Sequence, residues 1–317
     1  MSYEVLARKL RPKKFSELVG QDHVVRSLTH ALDNGRLHHA YLFTGTRGVG
    51  KTTIGRILAK SLNCESGVSS NPCGLCSICE EVSQNRFIDL LEVDAASRTG
   101  VDDTRELLEN VQYLPTRGRF KVYLIDEVHM LSTASFNALL KTLEEPPDHV
   151  KFLLATTDPK KVPITVLSRC LQFQLRNITS SGISDYLKGV LKNENVEFEN
   201  EGLELIAKNA RGSMRDALTL VDQCISYGSG SVRKDSVVEM LGLVEEDEIS
   251  SVILALKKGS AQDLLLLSEQ FYERNISYFE VLNGIVERFH KYSVASFLGE
   301  DSQTFSREEL QLFYQIA

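Results

Sequence analysis

No run of apolar residues in this chain of 317 reaches the roughly 18 that a membrane-spanning helix requires. The opening MSYEVLARKL is charged within its first turns, so the pattern of a secretion signal is missing too. The expectation is a soluble, cytoplasmic protein with no membrane partner. A basic excess is likewise missing: 36 Lys and Arg stand against 43 Asp and Glu, a net charge of −7. Surfaces given over to phosphate contacts carry the opposite balance, so if DNA is a partner, a local site must hold it. Apolar residues are not scarce. At 42% they suffice for about two cores by the length prior.

From about Leu37 to Phe173, short apolar or β-branched runs alternate with helical patterns: AYLFTG at 40–45, IDLLEVD at 88–94, FKVYLIDE at 120–127 and KFLLATT at 151–157. Such alternation predicts an α/β fold, a parallel sheet with helices on its faces. From about Ile178 onward the turn signals separate amphipathic segments only, which predicts helices. Boundaries near Asn177 and before the acidic EEDE give three domains: 1–177, 178–242 and 243–317. The last pattern, LQLFYQIA, has no glycine or proline stop, and the expectation is a piece of a longer protein.

GTRGVGKT, from Gly45 to Thr52, follows a predicted strand and opens a helix, the context that a phosphate-binding loop needs. Backbone N–H groups of Gly45, Thr46, Arg47, Gly48, Val49 and Gly50, continued by Thr53 at the helix start, would cradle phosphates. Lys51 would meet the β and γ phosphates of ATP, and the Thr52 hydroxyl would bind Mg²⁺. VYLIDE ends a second strand in two acids. Asp126 would hold Mg²⁺ through its shell, and Glu127 would take a proton from the water that attacks the γ-phosphate. Two adjacent acids are otherwise an ordinary solvated strand end, and the preceding Lys51 motif decides between the two. Further along, Thr156 or Thr157 at the end of LLATT is placed to hold that water, and Arg169 in LSRC offers charge to a transition state.

Four cysteines, Cys64, Cys73, Cys76 and Cys79, fall within sixteen residues at C-x8-C-x2-C-x2-C spacing. Without a secretion signal such spacing points to metal rather than disulfides, and four thiolates suit a tetrahedral zinc ion. No ligand position is left open for catalysis, so the zinc is structural. Cys170 and Cys224 stand alone on apolar segments and read as core residues.

The order of GTRGVGKT, LIDEVHMLS, FNALLKTLEEPP, LATTD, LSRC and GSMRDAL resembles the clamp-loader branch of the AAA+ ATPases. With YEVLARKLRPKKFSELVGQ and the cysteine loop added, the chain is similar to the amino-terminal part of the γ/τ family of bacterial DNA polymerase III, from Tyr3 to about Leu243. The resemblance implies an AAA+ P-loop core with a zinc-binding insert, a helical lid and a helical collar that assembles subunits. It assigns Ala7, Arg8, Arg11, Pro12, Val19 and Gly20 to the border of the adenine, and Met214 and Arg215 to the second sensor. It makes Thr157 the first sensor and Arg169 a finger that completes a neighbour's site in trans. It also implies partners: δ- and δ′-type loader subunits, further copies of the chain, a sliding clamp, primer-template DNA, and a polymerase and a helicase reached through a further carboxyl-terminal part. Arg98 and Thr99, before a helix start, are candidate DNA contacts, although the family pattern carries a basic residue where this chain has Gly100.

Two rival readings remain. A nucleotide-regulated scaffold without turnover commonly lacks the strand-end Glu or the loop Lys, and this chain has both. A helicase loader or branch-migration motor of the same superfamily shares the nucleotide motifs, but the cysteine insert and the Ser-Arg-Cys triplet speak against it. No acidic pair of polymerase type lies outside the ATP motifs.

Overall fold

The computed structural model describes residues 5–97, 110–244, 246–274 and 276–298. Five strands, β1 (Ala40–Thr44), β2 (Leu90–Asp94), β3 (Lys121–Asp126), β4 (Val150–Thr156) and β5 (Leu171–Gln174), form one parallel sheet in the order β2-β3-β4-β1-β5. β1 and β4 are buried along their whole length, because helices cover both faces and only continuous apolar runs satisfy both. Side chains alternate between the faces. Tyr41, Phe43, Leu124 and Leu153 pack with Ile54, Ile57 and Leu58 of the helix Lys51–Asn63 on one face. Ala40, Leu42, Ile125 and Leu154 pack with Phe136, Leu139 and Leu143 of the helix Thr133–Glu144 on the other.

Gly55 sets how close the first of these helices lies. A Cβ there would come within 2.7 Å of Leu124 Cδ1, so glycine lets the helix that starts at Lys51 sit tightly on β3 without displacing that methyl group. The same packing brings the start of the helix beside the end of β3.

The described residues form two compact units, one of residues up to 195 with 206–223, the other of 196–205 with those from 224 onward. In the second, the helices Glu246–Lys258, Ala261–Glu273 and Tyr278–Leu298 share a small core of Val252, Phe271, Ile276 and Val281. The purely helical expectation beyond Ile178 needs one correction. Two two-residue strands, β6 (Glu197–Phe198) and β7 (Ser231–Val232), pair in parallel, too short to show any period in the sequence. Cys224 is buried as expected. Cys170 is only half-buried against the sheet, since it lies at the exposed edge beside β5. Among the described residues no helix is long and apolar enough to cross a membrane.

Candidate nucleotide site and metal centre

Sheet order builds the site. β4 lies between β1 and β3, so the carboxyl ends of three neighbouring strands bring together the loop Gly45–Gly50, the acids Asp126 and Glu127, and Thr156 with Thr157. Carboxyl ends of parallel strands are where open α/β sheets bind ligands. Lys51 is 6% exposed and its Nζ donates to the carbonyls of Gly45 (2.8 Å) and Thr46 (2.9 Å). Burial lowers its pKa below the usual ammonium value, against the pull of Glu127 and Asp126. A cation so poorly hydrated gains much from an anion.

Thr52 Oγ1 donates to Asp126 Oδ2 at 2.6 Å. Neighbouring ligands on an octahedral Mg²⁺ shell lie about 3 Å apart, so this oxygen pair fits a shared magnesium. Glu127 Oε2 accepts from the Thr157 N–H (3.1 Å) and the Thr157 hydroxyl (2.8 Å), which brings the strand-end acid and the expected first sensor together.

Ser213 and Arg215 reach the loop from the carboxyl-terminal side. Gly48 has φ +80°, and a Cβ on it would stand 1.9 Å from Ser213 Oγ and 3.4 Å from Arg215 Cβ, so Ser213 and Arg215 lie directly against the loop. Met214 and Arg215 open the helix Met214–Tyr227 there, and Thr46 Oγ1 donates to Asn177 Oδ1 at 2.6 Å. Val49 is buried under the loop, whereas Thr46 and Arg47 are exposed.

Ala7 and Arg8 lie on the short helix Leu6–Lys9, which is tied down by the Leu6 N–H donating to Asp222 Oδ2 at 2.8 Å. After Pro12 the chain runs through Val19 and Gly20, where a Cβ on Gly20 would meet Ile178 at 3.5 Å. Arg11 Nε donates to Thr53 Oγ1 at 3.2 Å. Burial pushes the Arg11 pKa down to about 10, helped by Arg56, opposed by Glu92, and adjusted by Arg215 and Asp126.

Nothing in the sequence singled out Arg56. It lies one helical turn beyond Thr52, on the same face, and its NH2 donates to Glu92 Oε1 at 2.6 Å. The i, i+4 spacing was the available signal.

Arg169 is not among these residues. It precedes β5, whose first residue pairs with Tyr41 near the amino end of β1. In a parallel sheet this is the opposite end from Gly45, about 13 Å away along the strand alone. There Arg169 donates to the Thr165 carbonyl (2.8 Å) and pairs with Glu144. Arg98, Thr99 and Gly100 lie outside the described residues.

At the far end of the helix Lys51–Asn63, the sulfurs of Cys64, Cys73, Cys76 and Cys79 all lie within 4.8 Å of one another. Cys73 and Cys79 are 3.9 Å apart. A zinc tetrahedron with Zn–S bonds of about 2.3 Å has edges of about 3.8 Å, and the donor set fits it. N–H groups of Cys73, Cys76 and Cys79 donate to Sγ of Cys64, Cys73 and Cys76 at 3.3, 3.3 and 3.4 Å, which holds these three sulfurs in place. All six cysteines are free of disulfides. The cluster closes on its own small core of Ile78, Val82 and Phe87.

Sheet, loop and acid pair define a P-loop nucleotide-binding fold of the AAA+ class. A solved structure of the Thermotoga maritima RuvB Holliday junction branch migration motor shares the fold at a TM-score of 0.56 and 22% identity, over 84% of this chain and 86% of that one. Residues 20–179 match the family described as DNA polymerase III, delta subunit, and 182–230 the DNA polymerase III clamp loader subunit, ATPase lid domain. DNA polymerase III subunit tau of Escherichia coli K12 is 50% identical over 99% of this chain and 51% of its own. Subunit gamma of Buchnera aphidicola subsp. Baizongia pistaciae is 50% identical over 93% and 80%, and subunit tau of Bacillus subtilis 43% over 84% and 47%. The chain belongs to the gamma/tau family of DNA polymerase III clamp-loader subunits. It spans about half the length of the tau relatives it matches.

Proposed function

We propose that the chain is an ATP-hydrolysing motor subunit of a replicative clamp loader, which opens a sliding clamp and places it on primed DNA. The observation that carries this reading is the single array at the ends of β1, β4 and β3, where Lys51, the Thr52–Asp126 pair and the Glu127–Thr157 pair face one region. Gly45–Gly50 and Thr53 hold the phosphates, and Lys51 binds their β and γ oxygens. Thr52 and Asp126 hold Mg²⁺, which supplies charge neutralisation on the phosphates when bound. Glu127 takes the proton of the attacking water, and Thr157 fixes that carboxylate. Ala7, Arg8, Arg11, Pro12, Val19 and Gly20 border the adenine. Met214 and Arg215 cover the phosphates from the lid side, a role supported for Arg215 by its seat beside Gly48.

Arg169 acts on a neighbour, since its own loop lies at the other end of the sheet. The divisions 1–177, 178–242 and 243–317 act as ATPase core, lid and collar. The partners are δ- and δ′-type subunits, further copies of the chain, the clamp and primer-template DNA, and a polymerase and helicase reached by a further carboxyl-terminal part. The test is reconstitution: with δ- and δ′-type subunits, clamp and ATP, the chain transfers clamp onto primed circular DNA. Nucleotide binding with neither turnover nor transfer would favour the scaffold reading.

Zinc in the cysteine cluster has a structural role, because four thiolates leave no place for water. Purified chain is expected to contain close to one zinc per polypeptide by elemental analysis. Cys76→Ala loses the metal and lowers the melting temperature, because metal binding at such sites is folding free energy, while ATP still binds at Lys51. Metal-free chain that melts like the zinc-loaded protein under reducing conditions would contradict the assignment.

A further inference from the structure

The turn after β3 carries a histidine beside the strand-end acid. Val128–Met130 form one 3-10 turn, closed by the Met130 N–H donating to the Glu127 carbonyl at 2.8 Å, and this turn folds His129 back toward Glu127. The His129 side chain is only 10% exposed. Its Nδ1 stands 2.9 Å from Thr156 Oγ1 and 3.4 Å from Glu127 Oε2. Thr156 is fully buried at the end of β4, and its Oγ1 also accepts the Asp158 N–H at 3.1 Å.

Glu127 needs holding. Its φ of +47° puts a non-glycine residue in the left-handed region, a conformation that persists only where the surroundings enforce it. Oε2 receives the Thr157 N–H and hydroxyl, and His129 Nδ1 also approaches it. A lone pair on Nδ1 would face the carboxylate's own lone pairs, so the favoured tautomer carries its proton there.

We propose that His129 is a positioning residue for Glu127: its Nδ1–H, shared between Thr156 Oγ1 and Glu127 Oε2, ties the carboxylate to the end of β4 and leaves Oε1 to take the proton from water. The proposal rests on the reading of Glu127 as general base. His129 touches neither the nucleotide loop nor Lys51 in the contacts above, so it affects turnover and not binding.

The experiment measures ATP affinity, KM and kcat of the full chain in its assembled complex for His129→Ala, His129→Asn, His129→Gln and Glu127→Gln. An asparagine amide reaches where Nδ1 stands, and a glutamine amide reaches where Nε2 stands. Expected is a kcat about tenfold lower in His129→Ala and His129→Gln, with affinity and KM unchanged, and recovery of most of the loss in His129→Asn. Turnover unchanged in His129→Ala, or Gln and Asn alike, overturns the proposal while a dead Glu127→Gln leaves the base reading standing. Wild-type turnover in Glu127→Gln removes the base itself and the proposal with it. If His129→Ala does not fold, the contrast of Asn with Gln decides alone.

Discussion

Lys51→Ala is expected to abolish ATP binding, whereas Glu127→Gln keeps binding and stops turnover. Lys51 is the buried cation of the loop, and its Nζ is held by the carbonyls of Gly45 and Thr46. A hydrogen bond to a charged group is worth about 1.5–3 kcal/mol, and alanine loses the whole of it together with the charge, a loss of about a hundredfold or more in affinity. Glutamine at 127 keeps the shape and can still meet Thr157, but it cannot take a proton, which costs about 10²–10⁴ in rate. Equilibrium binding of ATP and single-turnover hydrolysis separate the two. Both variants binding alike and both hydrolysing would show that the assignment is wrong.

Arg169→Ala gives the second large effect: ATP affinity of the isolated chain stays almost unchanged, and DNA-stimulated hydrolysis by the assembled complex falls by about 10³-fold or more. The reason is the parallel sheet. Arg169 precedes β5, Gly45 follows β1, and these two strands run side by side in the same direction. The arginine therefore stands at the wrong end to serve its own loop. Its present partners, Glu144 and the Thr165 carbonyl, lie at an exposed edge, so their loss costs the isolated chain little.

Much of this was legible in the sequence because the relevant signals are local. β1, β3 and β4 announce themselves as continuous apolar runs, since both of their faces are covered. β5 does not: LQFQ is an edge strand with mostly exposed side chains, and it reads only as the tail of Ser-Arg-Cys. The loop and the acid pair were readable because backbone geometry over eight residues, or one strand end, specifies them. Sheet order was not, and with it went everything that depends on β4 lying between β1 and β3. Arg56 and His129 acquire meaning only once Thr52, Asp126 and Thr156 are known to be neighbours. The cysteine cluster lies at the other extreme. Its spacing, in a chain without a secretion signal, predicted four converging sulfurs, because the short intervals among Cys73, Cys76 and Cys79 let backbone turns aim successive sulfurs at one point.

The central claim is that one ATPase site takes its loop from one chain and its arginine from the next. Mixing tests it most directly. Complexes co-assembled from Arg169→Ala and Lys51→Ala chains, each inactive alone, are assayed for ATP hydrolysis across subunit ratios, with assembly followed by sedimentation. Interfaces that join the intact loop of the first chain to the intact arginine of the second are predicted to restore turnover. No recovery at any ratio, in complexes that sediment as assembled, would contradict the account and leave Arg169 a structural residue ahead of β5.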